Sequence, residues 1–177
     1  DILEITWTKM DKKITAIIPV RQGSRRLKNK NISSFAGSNL LLFKIEQLKK
    51  VSSINNIVVS SDSDHMLKIA KDAGVNTHKR SVEYCDEKTK SFGDVVAHIA
   101  ESVEGDNILW ATCTSPLVFP NLYQKSIKIF KQKVLKEKKY DSLVSVEPFQ
   151  RYLWNNEGPV NYELGTKHLP SQELPVY

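Results

Sequence analysis

A cluster of basic side chains lies between positions 21 and 31, directly after a short apolar run that ends at Val20. Arginine presents a planar fork to phosphate oxygens, and lysine presents a compact charge. Gly23 gives the backbone the freedom to bend closely around a ligand. A triphosphate needs several such donors, because its charge must be neutralised before an anionic nucleophile can approach. The segment therefore predicts a polyphosphate-binding loop, whose cationic members are Arg21, Arg25, Arg26, Lys28 and Lys30.

Two common phosphate-binding motifs do not account for this loop. A P-loop needs a second glycine followed by Gly-Lys-Ser/Thr, and the dinucleotide fingerprint needs G-x-G-x-x-G. Gly23 is the only glycine in the segment. A solvated basic surface loop is the alternative interpretation, and the position of the segment after a buried strand argues against it.

Cysteine and histidine positions do not indicate a metal site. Cys85 and Cys113 form no C-x-x-C pair, and neither has a histidine at a zinc-binding spacing. The four histidines lack the i, i+4 spacing that brings two ligands to one helix face. We expect both cysteines to be buried, reduced thiols.

Composition favours a soluble cytoplasmic protein. Hydrophobic residues make up 40% of the 177 residues and charged residues 26%, as in ordinary globular domains. No run approaches the roughly 18 apolar residues of a membrane helix, and residues 1–10 lack the apolar region of a signal peptide. The net charge of +6 is compatible with nucleic-acid binding, but no recognised module accompanies it. We therefore expect no nucleic-acid or membrane partner.

Apolar runs alternate with helical patterns along the chain. Short β-branched runs predict buried strands of a mainly parallel sheet at 14–20, 54–60, 107–113 and 142–146. Helical periodicity predicts a helix carrying Leu41, Ile45 and Leu48, and further helices at 64–73 (capped by Ser63, ending at Gly74), 92–101 and 122–134. This alternation predicts a three-layer α/β/α fold. Ligands bind such sheets at the carboxyl ends of the strands, which directs attention to loops 21–31 and 114–120.

Residues 17–32 resemble the signature of the acylneuraminate (CMP-sialic acid) cytidylyltransferases. In that family a strand leads into R-x-G-S-[KR]-x-x-x-x-K-N-I, and this chain matches at Arg21, Gly23, Ser24, Arg25, Lys30, Asn31 and Ile32. The resemblance implies a Rossmann-like nucleotidyltransferase fold and Mg²⁺ as cofactor. It also implies that Arg21, Arg25 and Lys30 contact the phosphates of CTP, with Gly23, Ser24 and Asn31 in the same nucleotide-binding loop.

The resemblance continues along the chain. Residues 57–62 are similar to the family's second strand and its V-S-T-D ending, although Asp62 also fits a turn or cap residue. Arg80 stands where the family places an arginine near the cytosine. Ser91 matches the serine that opens the next helix and touches the nucleoside, with a plain helix cap as the alternative. Residues 114–117 match T-S-P-L, and residues 172–175 match Q-[DE]-L-P.

Three positions depart from the family pattern. Thr112 replaces a glutamine implicated in sugar or nucleotide contact, and Val118 and Ser171 each replace an arginine. These departures favour a related 2-keto sugar acid over the usual sialic acid, or a different binding mode. In the family a pair of aspartates that hold the catalytic Mg²⁺ follows the position of Tyr177, so we expect a truncated domain with an incomplete metal site.

The resemblance implies that CTP and a 2-keto-3-deoxy nonulosonic (sialic-type) sugar acid react to give CMP-sugar and pyrophosphate. Arg21 and Lys30 are expected to act on the reacting phosphates, and Thr112 is expected to be a nucleotide contact. Two alternatives stay open: transfer to another sugar or sugar phosphate, and CTP binding without catalysis. We expect a single domain over 10–177, a linker at 1–9, and an excursion at 149–177 that serves dimerisation or sugar binding in a homodimer.

Overall fold

The computed structural model describes residues 12–23, 27, 29–85, 88–165 and 169–177. In chain order the strands are β1 (Ile14–Pro19), β2 (Ser34–Phe35), β3 (Ser38–Asn39), β4 (Asn56–Ser61), β5 (Asn76–Lys79), β6 (Asn107–Trp110), β7 (Trp154–Asn155) and β8 (Gly158–Pro159). The helices are α1 (Leu40–Lys49), α2 (Asp64–Asp72), α3 (Phe92–Glu101) and α4 (Pro120–Phe130). Short 3₁₀ turns occupy Lys30–Ile32, Val82–Cys85 and Ser171–Glu173.

A four-stranded sheet in the order β5–β4–β1–β6 forms the centre of the molecule. All three strand pairs are parallel, and Ile17 of β1 lies opposite Val58 on one side and Trp110 on the other. The strands predicted at 14–20, 54–60 and 107–113 are confirmed with small shifts at their ends. Parallel strands need long crossovers, which here contain the helices.

The apolar core lies on one face of this sheet. Ile14, Ala16, Ile18 and Val20 alternate along β1 and its exit, and they pack in one buried cluster with residues of α1, α2 and α4. The predicted stripe of α1 is confirmed, because Leu41, Ile45 and Leu48 are all 0% exposed. Burying each such side chain contributes about 1.5–3 kcal/mol, so this stripe fixes α1 against the sheet.

Helix α3 lies on the opposite face of the sheet. The hydroxyl of Ser60 in β4 lies 3.0 Å from Nδ1 of His78 in β5, and the His78 ring lies 5.6 Å from the ring of His98 in α3. Helices on both faces give the predicted three-layer α/β/α arrangement. The loop before β6 also packs here, since Thr15 donates a hydrogen bond to the carbonyl of Glu104 at 2.6 Å.

Helix boundaries follow local capping chemistry. The predicted cap of α2 is confirmed, with the Ser63 hydroxyl accepting a bond from the Met66 amide, and Gly74 follows the helix with φ +70°. A left-handed residue after the last turn is most favourable for glycine. The helix predicted at 122–134 begins earlier, at Pro120, and continues beyond α4 as a π-helical segment at Lys131–Lys136.

Two strand assignments differ from the sequence prediction. The strand predicted at 142–146 is wrong: the segment pairs with no strand of the described chain, and Val144 and Val146 are 78% and 82% exposed. Strand β5 was missed because Asn76–Lys79 is polar and lies at the sheet edge, where burial imposes no apolar pattern.

Residues 149–177 lie outside the main sheet. This region contains the short antiparallel hairpin β7–β8. The segment that leads into the hairpin pairs with the end of the chain, since Phe149 and Tyr177 exchange two backbone hydrogen bonds of 2.9 Å. Gln150 donates to the carbonyls of Gln172 and Leu174, so the two ends of the excursion are held together. Residues 1–9, the predicted linker, lie outside the described residues. Within the described part, no helix is long and apolar enough to cross a bilayer.

Candidate functional site

A cavity of about 360 Å³ opens at the carboxyl ends of β1, β5 and β6. This size falls within the usual range for small-molecule sites, and the edge of the sheet is where such folds bind ligands. Its described wall comprises Pro19, Val20, Arg21, Lys30, Asn31, Arg80, Tyr84, Cys85, Lys90, Ser91, Phe92, Val95, Trp110, Thr112, Cys113 and Thr114.

The loop after β1 supplies one wall of the cavity. Arg21 follows the strand, and the 3₁₀ turn Lys30–Ile32 places Lys30 and the buried Asn31 at the same opening. The carboxylate of Asp62 accepts a 2.9 Å hydrogen bond from the Gln22 amide, which ties this loop to the end of β4. Asp62 is therefore a long-range tether between the loops that follow β1 and β4. Ser24 and Arg25, and with them Arg26 and Lys28, lie outside the described residues.

Arg80 forms part of the cavity floor, immediately after β5. It is only 4% exposed, and its guanidinium donates to the Val20 carbonyl at 2.7 Å and to Sγ of Cys85 at 3.1 Å. Arg21 in turn donates to the carbonyl of Cys85. The ends of β1 and β5 and the 82–85 turn are thus held together by two arginines, which fixes their positions before any ligand binds.

Ser91 stands at the start of α3 and faces the same cavity. It forms a reciprocal capping box with Asp94: the Ser91 hydroxyl accepts from the Asp94 amide, and the Asp94 carboxylate accepts from the Ser91 amide. The Ser91 hydroxyl, which donates to the Asp94 carboxylate at 2.8 Å, and then the Ser91 amide hold the pKa of the Asp94 carboxyl below its usual value. The helix-cap interpretation of Ser91 is therefore confirmed, and the same residue stands at the cavity wall.

The segment after β6 closes the cavity on the other side. The hydroxyls of Thr112 and Ser115 lie 3.3 Å apart. Cys113 is 2% exposed, and burial raises the pKa of its thiol to about 12, so the thiol stays protonated near neutral pH. Above this segment the rings of Phe92 and Trp110 meet edge to face, 5.8 Å apart, and give this side an aromatic lining.

The charge around the cavity is entirely positive among the described residues. Arg21, Lys30, Arg80 and Lys90 line it, and no carboxylate of the described part of the chain does. The chain described contains no cluster of three histidine, cysteine or acidic residues that can hold a metal ion. These residues suit a polyanion, and they do not fit a magnesium site made by the protein alone, since Mg²⁺ in proteins is usually held by carboxylates.

Six of the nine predicted binding residues meet at this one cavity: Arg21, Lys30, Asn31, Arg80, Ser91 and Thr112. Gly23 does not line it; it is exposed, with φ +80°, and a Cβ added there would meet no atom within 4 Å. The remaining two, Ser24 and Arg25, fall outside the described part of the loop. Two of the positions that depart from the family pattern lie away from the cavity: Val118 packs against the core, and Ser171 is exposed near the end of the chain.

Sequence reasoning missed several residues of the wall. Tyr84, Lys90, Phe92 and Trp110 all face the cavity. Trp110 ends β6, so its position at the carboxyl edge was a usable signal. Lys90 precedes the helix cap, and its Nζ lies 5.0 Å from the centroid of the Tyr84 ring.

The expectation that both cysteines are buried was wrong for Cys85, which is half-buried because it faces the open cavity and Arg80.

A stack of rings supports the cavity wall from behind. Tyr84 stacks on His98 with centroids 3.9 Å apart and planes at 9°, and His98 contacts His78. Burial first, then the nearby His98 and Arg80, hold the pKa of His78 below its ordinary value. A positive charge on His78 is therefore disfavoured, and His78 is expected to be neutral near pH 7.

A family model described as cytidylyltransferase matches residues 15–155. The chain is 28% identical over 141 residues to N-acylneuraminate cytidylyltransferase A of Danio rerio, a match that covers 80% of this chain and 32% of the relative. It is 28% identical over 162 residues to the pseudaminic acid cytidylyltransferase of Campylobacter jejuni, covering 88% of this chain and 69% of the relative. The chain thus spans about a third of the first relative and about two thirds of the second.

Among solved structures, the fold is similar to that of a CMP:2-keto-3-deoxy-manno-octonic acid synthetase complexed with CTP. The TM-score is 0.57 at 18% sequence identity, over 67% of this chain and 47% of the other. At that identity the likeness concerns the fold, and it agrees with the three-layer, parallel-sheet architecture described above.

Proposed function

This chain belongs to the cytidylyltransferase family, and on that premise we propose that it transfers CMP from CTP to an acidic 2-keto-3-deoxy sugar. The acceptor class we propose is a nonulosonic, sialic-type acid, because the relatives from Danio rerio and Campylobacter jejuni are named for N-acylneuraminate and pseudaminic acid. The observation that carries the proposal is the cavity itself. It has four cationic side chains and no carboxylate in its described wall, at the edge of a parallel sheet.

The proposed reaction is a displacement at phosphorus. The anomeric hydroxyl oxygen of the sugar forms a bond to the α-phosphorus of CTP, and the bond from that phosphorus to the bridging oxygen breaks. Pyrophosphate leaves with the bonding electrons, and the hydroxyl proton is released. Neither a carboxylate nor a histidine stands in the described wall to take that proton, so the contribution we assign to this chain is positioning and charge neutralisation.

We assign the triphosphate to the wall formed by Arg21 and Lys30. Both side chains follow the central strand β1, so they meet at the middle of the sheet edge. Their charges lower the cost of bringing an anionic sugar to an anionic phosphate, and they stabilise the charge that builds on the departing pyrophosphate. Ser24 and Arg25 belong to the same proposed phosphate loop on the strength of the motif.

We assign the nucleoside to the side bounded by Arg80 and Ser91. Arg80 is held rigidly by its two hydrogen bonds, which keeps its position fixed and limits the entropy lost on binding. Thr112, across the cavity, replaces a longer side chain and leaves room on the β6 side. We propose that Thr112 contacts the nucleotide from that side, and that the sugar acid approaches through the space beside it.

The only support for Mg²⁺ as a cofactor is the resemblance to the family. The described wall offers neutral oxygen donors such as Asn31, Ser91 and Thr112, but no carboxylate. We infer that Mg²⁺ arrives with the phosphates of CTP, because this cation keeps several waters and is often held by substrate phosphates.

We also propose that the protein is a homodimer whose interface includes residues 149–177. Trp154, Leu164 and Tyr177 are 58%, 71% and 66% exposed, and apolar side chains of this size favour contact with another surface. The test is the molar mass in solution by light scattering. A dimer that Trp154→Glu converts to a monomer supports the assignment, and a monomeric wild-type protein contradicts it.

The experiment that tests the function is pyrophosphate release from CTP with a panel of acceptors. The panel contains N-acetylneuraminate, pseudaminate, 3-deoxy-manno-octulosonate and a hexose phosphate, and CTP binding is measured on the same sample. Release with a nonulosonic acid is the expected result. Release with the hexose phosphate alone would replace the acceptor class, and binding without release would make the chain a nucleotide-binding module.

A further inference from the structure

A lysine is buried inside the apolar core. Lys44 of α1 is 0% exposed, although it lies beside the stripe formed by Leu41, Ile45 and Leu48. No carboxylate among the described residues forms an ion pair with it; its Nζ donates instead to the Ser115 carbonyl at 2.9 Å and to the Tyr123 hydroxyl at 2.8 Å. Burying an ammonium group is costly, so packing alone does not account for this residue.

The hydrogen bonds of Lys44 lead to the cavity wall. Ser115, which accepts from Lys44, also contacts Thr112 twice: its amide lies 3.4 Å from the Thr112 carbonyl, and the two hydroxyls lie 3.3 Å apart. Thr112, Cys113 and Thr114 line the cavity. Lys44 is therefore two residue contacts away from the site without touching the cavity.

A second side chain of α1 supports the same turn. Gln47, one turn after Lys44, donates to the carbonyl of Pro116 at 2.7 Å. Two consecutive carbonyls of the turn, those of Ser115 and Pro116, are thus held from one buried helix face. A turn tied at both carbonyls to a rigid helix cannot move without breaking two partly buried hydrogen bonds.

We propose that Lys44 is a positioning residue for the nucleotide site, which fixes the Thr112–Thr114 wall through its hydrogen bond to Ser115. This inference rests on the proposed function, since it concerns binding of CTP at that wall. A methionine of similar length would fill the same space without the ammonium group. What it would lack is a donor to the turn, which is the property that the site uses.

The surroundings of the amine agree with this role. Burial lowers the pKa of Lys44, and the nearby Cys113 opposes that change. Tyr123 packs its ring 5.0 Å from the Nζ atom, and burial raises the pKa of its hydroxyl to about 12. The phenol therefore stays protonated at neutral pH, and its oxygen still accepts the hydrogen bond from the amine. The Tyr123 hydroxyl thus holds the amine in place beside the Ser115 carbonyl.

The test compares CTP binding by calorimetry for the wild-type protein, Lys44→Met and a matched control. Lys50→Met is the control, because Lys50 is an exposed lysine at the end of the same helix. We expect Lys44→Met to weaken CTP binding by about tenfold, the effect of one lost charge-assisted hydrogen bond. The control should stay within about twofold. A Lys44→Met protein that is folded and binds CTP like the wild type overturns the inference.

Kinetics separate positioning from simple loss of stability. In the pyrophosphate-release assay, Lys44→Met is expected to raise KM for CTP by about tenfold and to leave kcat within about threefold. A merely destabilised protein contains fewer active molecules, so kcat falls while KM is unchanged. That second pattern would contradict the proposal.

Two further variants keep the test decisive. In a double-mutant cycle with Thr112→Val, the binding losses should be clearly non-additive if Lys44 acts through the Ser115–Thr112 contact, and additive losses contradict it. If Lys44→Met does not fold, Gln47→Met loosens the same turn and should weaken CTP binding in the same direction; unchanged binding overturns the inference. A wild-type protein that binds no CTP overturns the proposed function and this inference together.

Discussion

At the scale of residues, the cations around the cavity differ in how firmly the fold holds them. Arg80 is buried and makes two hydrogen bonds, whereas Lys90 is half-buried and lies over the Tyr84 ring. A buried arginine keeps a fixed direction, and a lysine on a flexible stem adapts to its ligand. The site therefore combines a rigid floor with an adjustable rim, which suits a ligand with both a base and a mobile chain of phosphates.

The pH dependence of stability is expected to report on His78. Its pKa lies below 6.5 in the folded protein, mainly because of burial. As the pH falls through the ordinary histidine pKa of about 6.5, the unfolded chain binds a proton at His78 that the folded chain does not. The free energy of unfolding therefore decreases. We expect His78→Gln to reduce this decrease between about pH 7.5 and about pH 5.5, measured by urea unfolding.

The control for this prediction is His65→Gln, which changes an exposed histidine on α2. It should leave the pH dependence close to that of the wild type. Equal slopes for the wild type and His78→Gln would show that His78 does not govern the pH dependence of stability in this range.

At the scale of elements, the capping box of α3 links stability to the cavity wall. Ser91→Ala removes the hydroxyl that accepts from the Asp94 amide, and the expected loss is about 1 kcal/mol in the free energy of unfolding. Ser102→Ala, at the other end of the same helix, is the comparison, since that hydroxyl donates to the His98 carbonyl and caps no helix amide at the N-terminus. A loss no larger for Ser91→Ala than for Ser102→Ala would contradict the capping role.

The loop before β6 depends on a glycine that approaches β1 closely. Gly105 has φ +149°, and a Cβ there would lie 2.5 Å from Oγ1 of Thr15. We expect Gly105→Ala to lower the free energy of unfolding by about 1–3 kcal/mol, because the clash is with a buried, hydrogen-bonded side chain. Gly37→Ala is the matched control: its φ is +76° but nothing lies within 4 Å. If both variants lose the same stability, backbone strain alone explains the effect.

Strands were predictable where burial shaped the sequence. β1 is buried on both faces, and its run of β-branched residues identifies it without ambiguity. β5 escaped prediction because an edge strand of Asn, Thr, His and Lys carries no such pattern. Residues 142–146 show the reverse error, since β-branched residues favour a strand only where a partner strand is paired with them.

At the scale of the whole molecule, topology creates the site. Arg21, Arg80 and Thr112 are far apart in sequence, and they meet because β1, β5 and β6 end at one edge of a parallel sheet. The motif after β1 was sufficient to direct attention to that edge, where the structure has the candidate cavity. Tyr84 and Lys90 were not predictable, because a single tyrosine or lysine outside the motif carries no spacing signal, whereas Trp110 was marked by its place at the end of β6.

We propose that the loop after β1 binds the phosphates of CTP, and calorimetric titration of CTP decides whether it does. The proteins compared are the wild type, Arg21→Ala, Lys30→Ala and the control Lys125→Ala, which changes an exposed lysine on α4. We expect each loop variant to weaken CTP binding by at least about tenfold, because a charge-assisted contact to phosphate is lost. The control should bind like the wild type. Equal affinity in all four proteins would contradict the claim and make the loop an ordinary basic surface.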